Sequence, residues 1–128
     1  MWFTPTLGVE YRPRSGTRPL ASQFFRTGQW RREVIRRYPQ TASARYLAPP
    51  VMVSLVAAGL LLGAVGVATG SGLAWAMAAP VTYLVGVVVA SVPAGARLGW
   101  RARALLPGVL VVMHVAWGVG FLVPLRAR

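Results

Sequence analysis

The side chains best suited to chemistry lie on one short basic segment early in the chain. Gln23, Thr27 and Arg31 are spaced four residues apart, and Trp30 immediately precedes the last of them. On a helix this spacing puts the three polar groups on successive turns of one face, beside an indole ring. Such a track suits a sugar ring or a phosphate at a membrane surface. The structural alternative is that Arg31 extends its charged end into water while Gln23 bonds to backbone.

Acidic groups are almost absent, which limits the catalysis that this chain can perform. Glu10 and Glu33 are its only carboxylates, and it contains no Asp. A hydrolase or a nucleotide-sugar enzyme usually brings at least two carboxylates together for metal binding and proton transfer. One glutamate lies near the start of the chain and the other among arginines, so no catalytic residue and no metal ligand is predicted. The lack of Cys also excludes disulfides and thiolate metal sites.

His114 is the remaining titratable side chain of interest, because it lies near the middle of a long apolar segment. A titratable group inside a membrane is a functional candidate by default. The alternative is a neutral imidazole that hydrogen-bonds to a neighbouring helix. A proton relay would need a second intramembrane acid or base, and a metal site would need more ligands than one histidine.

The elements that must position these groups are organised around an uncharged interval. No residue from 46 to 96 is Asp, Glu, Lys or Arg. A charge in the centre of a bilayer costs about 2.5–3.5 kcal/mol on insertion scales, so a membrane environment explains this gap. One spanning helix needs roughly 20 apolar residues, so the interval holds two spans. A third apolar run follows, and the predicted spans are 51–68, 73–92 and 105–123.

Features within the spans refine this prediction. Thr69 to Gly72 reads as the turn between the first two spans, and Pro49-Pro50 as the entry to the first. Small residues on one face of the first span would let another helix approach closely; they are Gly59, Gly63, Gly66 and Gly70.

Two further segments precede the membrane region. Residues 1–14 read as a short β-like piece broken by prolines. Residues 15–38 predict a basic amphipathic helix, capped by Ser15 or Thr17 and ended by Pro39, with Gly28 as a possible break. Its apolar arc comprises Leu20, Phe24, Trp30, Val34, Ile35 and Tyr38, and Phe25 falls outside it. Beside a membrane such a helix is expected to lie at the headgroups, where Arg32, Arg36 and Arg37 would contact anionic lipid.

The arginine distribution predicts both the environment and the topology. All fourteen basic residues are Arg; nine precede residue 46, three follow the second span, and Arg126 and Arg128 end the chain. With three spans, twelve arginines lie on one side and two on the other, which predicts a cytoplasmic N-terminus in the plasma membrane. Membrane lipid is therefore the expected partner, and nucleic acid is not. The expected fold is mainly α, with three transmembrane helices after a cytoplasmic interfacial helix.

The order of three sequence blocks resembles the C-terminal portion of membrane-bound family 2 glycosyltransferases. These blocks read WFTPTLGVEYRPRSGTRPLASQFFRTGQWRR, then RYLAPP, then MHVAWGVGFL. In that family a GT-A catalytic domain precedes interfacial and transmembrane helices. Processive members carry a Gln-x-x-Arg-Trp motif on an interfacial helix, which helps to bind the acceptor sugar. Gln23, Trp30 and Arg31 are the counterparts here, and their different spacing and order favour transfer of a single sugar over polymer synthesis.

The resemblance implies a separate role for each of three segments of the chain. Residues 1–14 would be the end of a catalytic domain, 15–48 the interfacial region and 49–128 the membrane region. The nucleotide-sugar site, the Asp-x-Asp metal motif and the catalytic base are missing from a chain without Asp, so this chain is expected to be inactive alone. It would bind no cofactor itself, whereas a full-length relative would use a divalent metal with a nucleotide-sugar. A separately encoded GT-A part would complete it, with a lipid-linked acceptor; the alternative is a small non-catalytic membrane scaffold.

Overall fold

The computed structural model describes residues 16–124, and within that range the fold is helical with no strand. Four α-helices follow one another: α1 (Thr17–Arg37), α2 (Ala44–Thr69), α3 (Ala78–Ala94) and α4 (Trp100–Leu122). Two 3₁₀ segments, Pro39–Thr41 and Gly72–Met77, join the first two helices and lead into α3. The mainly α fold is as predicted. The β-like piece assigned to residues 1–14 lies outside the described residues.

Three elements of the described range are long and apolar enough to cross a membrane: Ala44–Thr69, Gly72–Ala94 and Trp100–Leu122. They correspond to the three predicted spans, but the first and third begin earlier than expected. Pro49 and Pro50 lie inside α2, and Pro107 lies inside α4. A proline lacks the backbone N–H that would donate to the carbonyl oxygen one turn earlier in the helix. Membrane helices tolerate this lost hydrogen bond when other groups satisfy the freed carbonyl. The Ser54 hydroxyl donates a 2.9 Å hydrogen bond to the carbonyl oxygen of Pro50, one turn earlier in α2.

Helix α1 ends just before Pro39, as predicted, but its start and its middle differ from the prediction. Gly16, with φ of 113°, occupies the N-cap, so neither Ser15 nor Thr17 is the capping residue. The helix also runs unbroken through Gly28. This glycine is buried because it is the point at which α1 meets α4. A Cβ there would clash with the carbonyl oxygen of Trp117 and would lie 2.8 Å from the backbone nitrogen of Phe121.

The face of α1 that packs on α4 coincides only in part with the predicted apolar arc, of which Phe24 faces Trp117. Gly120 of α4 has its own close approach, to the backbone of Phe25, a residue predicted to lie off that arc. Trp30 and Tyr38, both predicted on the arc, are 64% and 56% exposed. The backbone contact at the two glycines decides the rotation of α1, since only glycine permits so close a crossing.

The predicted small-residue face of α2 is where the chain folds back. Gly59, Gly63 and Gly66 are buried against the 3₁₀ segment and the start of α3. A Cβ on Gly63 would lie 2.6 Å from Cγ of Met77, and one on Gly59 would lie 2.8 Å from Cδ of Pro80. Gly70, with φ of 63°, caps α2 in the left-handed conformation that glycine adopts most readily, at the predicted turn.

The last turns of α4 lie against the first turns of α2. A Cβ on Gly118 would lie 2.6 Å from the carbonyl oxygen of Pro49, and Phe121 and Leu122 line a shallow cavity with Leu47. These contacts join the end of the third apolar helix to the beginning of the first.

Candidate functional site

Of the three predicted acceptor-binding residues, Gln23 and Trp30 lie on the face of α1 that points away from α4. Both are exposed. The hydroxyl of Thr27 donates a 2.9 Å hydrogen bond to the backbone oxygen of Gln23, so the threonine is engaged with its own helix. Arg31, by contrast, is half-buried and reaches across to α2. Gln23 and Trp30 are therefore accessible to a ligand, whereas Arg31 is held against α2.

Arg31 and Arg45 both lie over the ring of Tyr46, and these three residues form what we term the Arg–Tyr–Arg cluster. The guanidinium carbon of Arg31 lies 3.7 Å from the ring centroid, and that of Arg45 lies 4.7 Å from it. The Nη2 group of Arg45 also donates a 2.8 Å hydrogen bond to the tyrosine hydroxyl. Because Arg31 is on α1 and Tyr46 is in the first turn of α2, the cluster joins the amphipathic helix to the membrane region. Cation–π contacts of this kind contribute about 0.5–2 kcal/mol each.

The ion pairs within residues 16–124 lie elsewhere on α1. Glu33 accepts hydrogen bonds from Arg36 at 2.8 Å and from Arg37 at 2.7 Å. The hydrogen bond from Arg36, followed by that from Arg37, lowers the pKa of Glu33 from 4.5 to about 2, and Glu33 raises the pKa of Arg36 in return. Both arginines remain exposed. Two of the three predicted lipid-contact residues are thus already paired, and the positive charge of the Arg–Tyr–Arg cluster is left for an anion.

Arg32, the third predicted lipid contact, is hydrogen-bonded to the end of α4. Its Nη1 group donates hydrogen bonds to the carbonyl oxygens of Leu122, at 2.6 Å, and Phe121, at 3.4 Å. The last carbonyls of a helix lack intrahelical donors and carry partial negative charge, so a guanidinium there stabilises the end of α4.

A small cavity opens between α1, α2 and α4. Its volume is about 240 Å³, and its lining residues are Phe24, Arg45, Pro49, Met113, His114 and Trp117. The rings of Phe24 and Trp117 are 6.3 Å apart between centroids. The indole nitrogen of Trp117 is buried and has no hydrogen-bond partner among the described residues. Arg45 links this cavity to the Arg–Tyr–Arg cluster.

His114 forms the boundary between that cavity and a second, larger one. Its Nδ1 atom lies 3.4 Å from the hydroxyl of Tyr83 on α3, an arrangement consistent with the alternative of a histidine bonded to a neighbouring helix. The second cavity is an open groove of about 600 Å³ between α2, α3 and α4. Thr82, Tyr83 and His114 are the polar side chains of its otherwise apolar lining. No group of three His, Cys, Asp or Glu residues able to hold a metal ion occurs within residues 16–124.

Sequence reasoning identified Arg31 but missed Arg45, Tyr46 and Trp117 as parts of one site. The first two lie in the RYLAPP block and the third in MHVAWGVGFL, so two of the blocks used for the family resemblance meet here. Their juxtaposition depends on the crossing of α1 and α4 at Gly28, which helical periodicity cannot reveal.

Length and composition of the three apolar helices support a multi-pass membrane protein. Comparison with known proteins adds no closer assignment: no family model, no curated protein and no solved structure matches the chain.

Proposed function

We propose that this chain is the membrane-anchoring, acceptor-side part of a family 2 glycosyltransferase that transfers a sugar from a nucleotide-sugar to a lipid-linked acceptor. The observation that carries the proposal is the Arg–Tyr–Arg cluster at the junction of α1 and α2. An acceptor whose lipid lies in the bilayer must present its sugar or phosphate at this junction. A cationic, aromatic surface with exposed Trp30 beside it suits that purpose, since indole and guanidinium groups stack on rings and bind phosphate oxygens.

The roles within the site follow from exposure. Trp30 and Gln23 are free to contact a sugar ring and its hydroxyls, whereas Arg31 is held against Tyr46 and acts as a fixed positive charge. The N-terminal side of the membrane region is cytoplasmic in this proposal, where nucleotide-sugars are available. Arg36 and Arg37 remain at the headgroups, and their pairing with Glu33 reduces but does not cancel their positive charge.

Catalysis requires a partner in this proposal. The chain lacks the aspartates of a nucleotide-sugar and metal site. A GT-A part would supply them and would bring the divalent metal, and this chain would supply the acceptor. The chain alone is therefore expected to transfer nothing.

The test begins with the DNA immediately upstream, where an Asp-x-Asp motif is expected in the same or a shifted reading frame. That product is then co-expressed with this chain, and transfer of radiolabelled sugar to the lipid-extractable fraction of membranes is measured. Trp30→Ala and Arg31→Gln are expected to lower transfer by at least tenfold. Trp75→Ala and Arg101→Gln are matched controls, because both residues are exposed and remote from α1.

Equal activity in all four variants would show that the α1 face has no part in acceptor binding. An unrelated upstream gene, together with normal membrane insertion and no transfer under any pairing, would instead favour the non-catalytic scaffold.

A further inference from the structure

The cavity between α1, α2 and α4 has the chemistry of an anion site. Arg45 contributes a permanent cation to its lining, and none of its six lining residues is acidic. Glu33, the carboxylate within residues 16–124, is engaged by Arg36 and Arg37. Arg31 adds a second positive charge close by, through the shared ring of Tyr46. Two cations held near one ring, without a carboxylate between them, favour the approach of an anion.

The lining also includes a hydrogen-bond donor without a partner. Trp117 Nε1 is buried and unpaired among the described residues. An indole nitrogen can only donate, and a buried donor without an acceptor is unfavourable. A small displacement of the ring would let it donate to a phosphate oxygen in the cavity, which would remove that penalty. Guanidinium and indole donors together match an oxyanion better than they match a cation or an apolar ligand.

The apolar groove between α2, α3 and α4 adjoins this anion site. His114 lines both the cavity and the groove between α2, α3 and α4, so the two spaces share one side chain. The groove is lined mainly by aliphatic residues of the apolar helices. A molecule with a charged end and a hydrocarbon chain could place each part in a matching environment.

We propose that this cavity binds the phosphate headgroup of an anionic membrane lipid, with a hydrocarbon chain of that lipid in the adjoining groove. Arg45 is the principal contact, Trp117 and His114 are secondary donors, and Arg31 supplies longer-range attraction. The inference goes beyond the proposed function, because the site would be occupied by bulk lipid whether or not a catalytic part is bound.

The experiment uses Trp117 as the reporter. The other four tryptophans, Trp2, Trp30, Trp75 and Trp100, are replaced by Phe, and the full chain is reconstituted in phosphatidylcholine vesicles. Brominated phosphatidylglycerol or brominated phosphatidylcholine is then added at equal mole fraction, and quenching of Trp117 fluorescence is measured. Phosphatidylglycerol is expected to quench more strongly than phosphatidylcholine. Arg45→Gln is expected to lower the apparent affinity for phosphatidylglycerol about fivefold, as for loss of one basic residue at an anionic surface.

Two further variants separate recognition from folding and from bulk charge. Arg45→Lys keeps the charge and is expected to retain most of the preference. Arg101→Gln removes an exposed arginine at the start of α4 and is expected to leave the preference unchanged.

Three results would overturn the proposal. Equal quenching by the two lipids would show that no headgroup is selected. A preference that survives Arg45→Gln, or that Arg101→Gln abolishes equally, would show that Arg45 does not provide the site. Complete competition by inorganic phosphate would assign the cavity to a soluble anion and not to a lipid.

Discussion

Arg31 and Arg45 lie on different helices yet contact the same aromatic ring, that of Tyr46. The ring attracts both guanidinium groups, so it offsets part of the repulsion between these like charges. Tyr46 therefore holds the C-terminal half of α1 to the beginning of α2.

Replacement of Tyr46 tests the connection between the two helices. Tyr46→Leu removes both cation–π contacts and the hydroxyl acceptor of Arg45, and we expect a loss of about 1–3 kcal/mol in stability. Tyr46→Phe removes only the hydrogen bond and should cost about 1 kcal/mol. Thermal unfolding in detergent micelles measures both. Tyr38→Leu is the control, since Tyr38 is exposed and its loss should have little effect; equal destabilisation at 38 and 46 would argue against a joining role.

The crossing of α1 and α4 predicts strong sensitivity at Gly28. Gly28→Val would push a side chain into the backbone of Trp117 and Phe121. This backbone cannot move aside as the end of a flexible side chain can. We expect destabilisation of about 3 kcal/mol, at the upper end for overpacking. Gly86→Ala is the control, because nothing lies within 4 Å of a Cβ at that position in α3. That change should be neutral or slightly stabilising, by up to about 1 kcal/mol. A valine tolerated at 28 would mean that α1 does not pack on α4 in the membrane.

The ion pairs of α1 predict a low titration midpoint for Glu33. Its folded-state pKa is lowered to about 2 by hydrogen bonds from Arg36 and Arg37, against an ordinary value of 4.5. A depressed carboxylate pKa contributes stability that is fully present above 4.5 and is lost as the pH falls through about 2. Carbon-13 NMR of Glu-labelled chain in micelles reports the midpoint directly, and Glu33→Gln assigns the signal. Arg36→Gln should move the midpoint upward; a wild-type midpoint near 4.5 would show that the pairs do not persist.

The contact between the start of α2 and the end of α4 makes a prediction about topology. The chain contains no Cys, so single cysteines can be introduced without a background signal. Ser43→Cys and Val123→Cys are expected to react with an impermeant maleimide from the same face of the membrane, and Ser71→Cys, at the far end of α2, from the other. Labelling of positions 43 and 123 from opposite faces would instead favour three complete crossings.

The sequence pattern predicted those features of the structure that depend on the surrounding lipid or water and on local backbone chemistry. Absence of charge from 46 to 96 predicted apolar helices, and the left-handed turn at Gly70 fell where small polar residues interrupt them. Pro39 ended α1 as expected, because the residue before a proline disfavours helix. Each of these features depends on local chemistry.

Features that depend on contacts between helices were not predictable in the same way. Gly28 was named as a break in α1, but it is the point at which α1 crosses α4. Glycine suits either role, and the sequence of α1 does not show which helix lies opposite it. The backbone of Phe25 contacts Gly120 and Trp30 is exposed for the same reason: the rotation of α1 follows from its close approach to the backbone of α4, which its own apolar arc does not reveal. The hydrogen bond from Arg32 to the carbonyl oxygen of Leu122 likewise depends on α4 and could not be predicted from α1 alone.

The hydrogen bonds from Arg32 to the carbonyl oxygens of Phe121 and Leu122 fix the end of α4 to the C-terminal half of α1. Any change in the tilt of α4 within a bilayer would therefore also move Arg36 and Arg37, the charged residues that follow on α1.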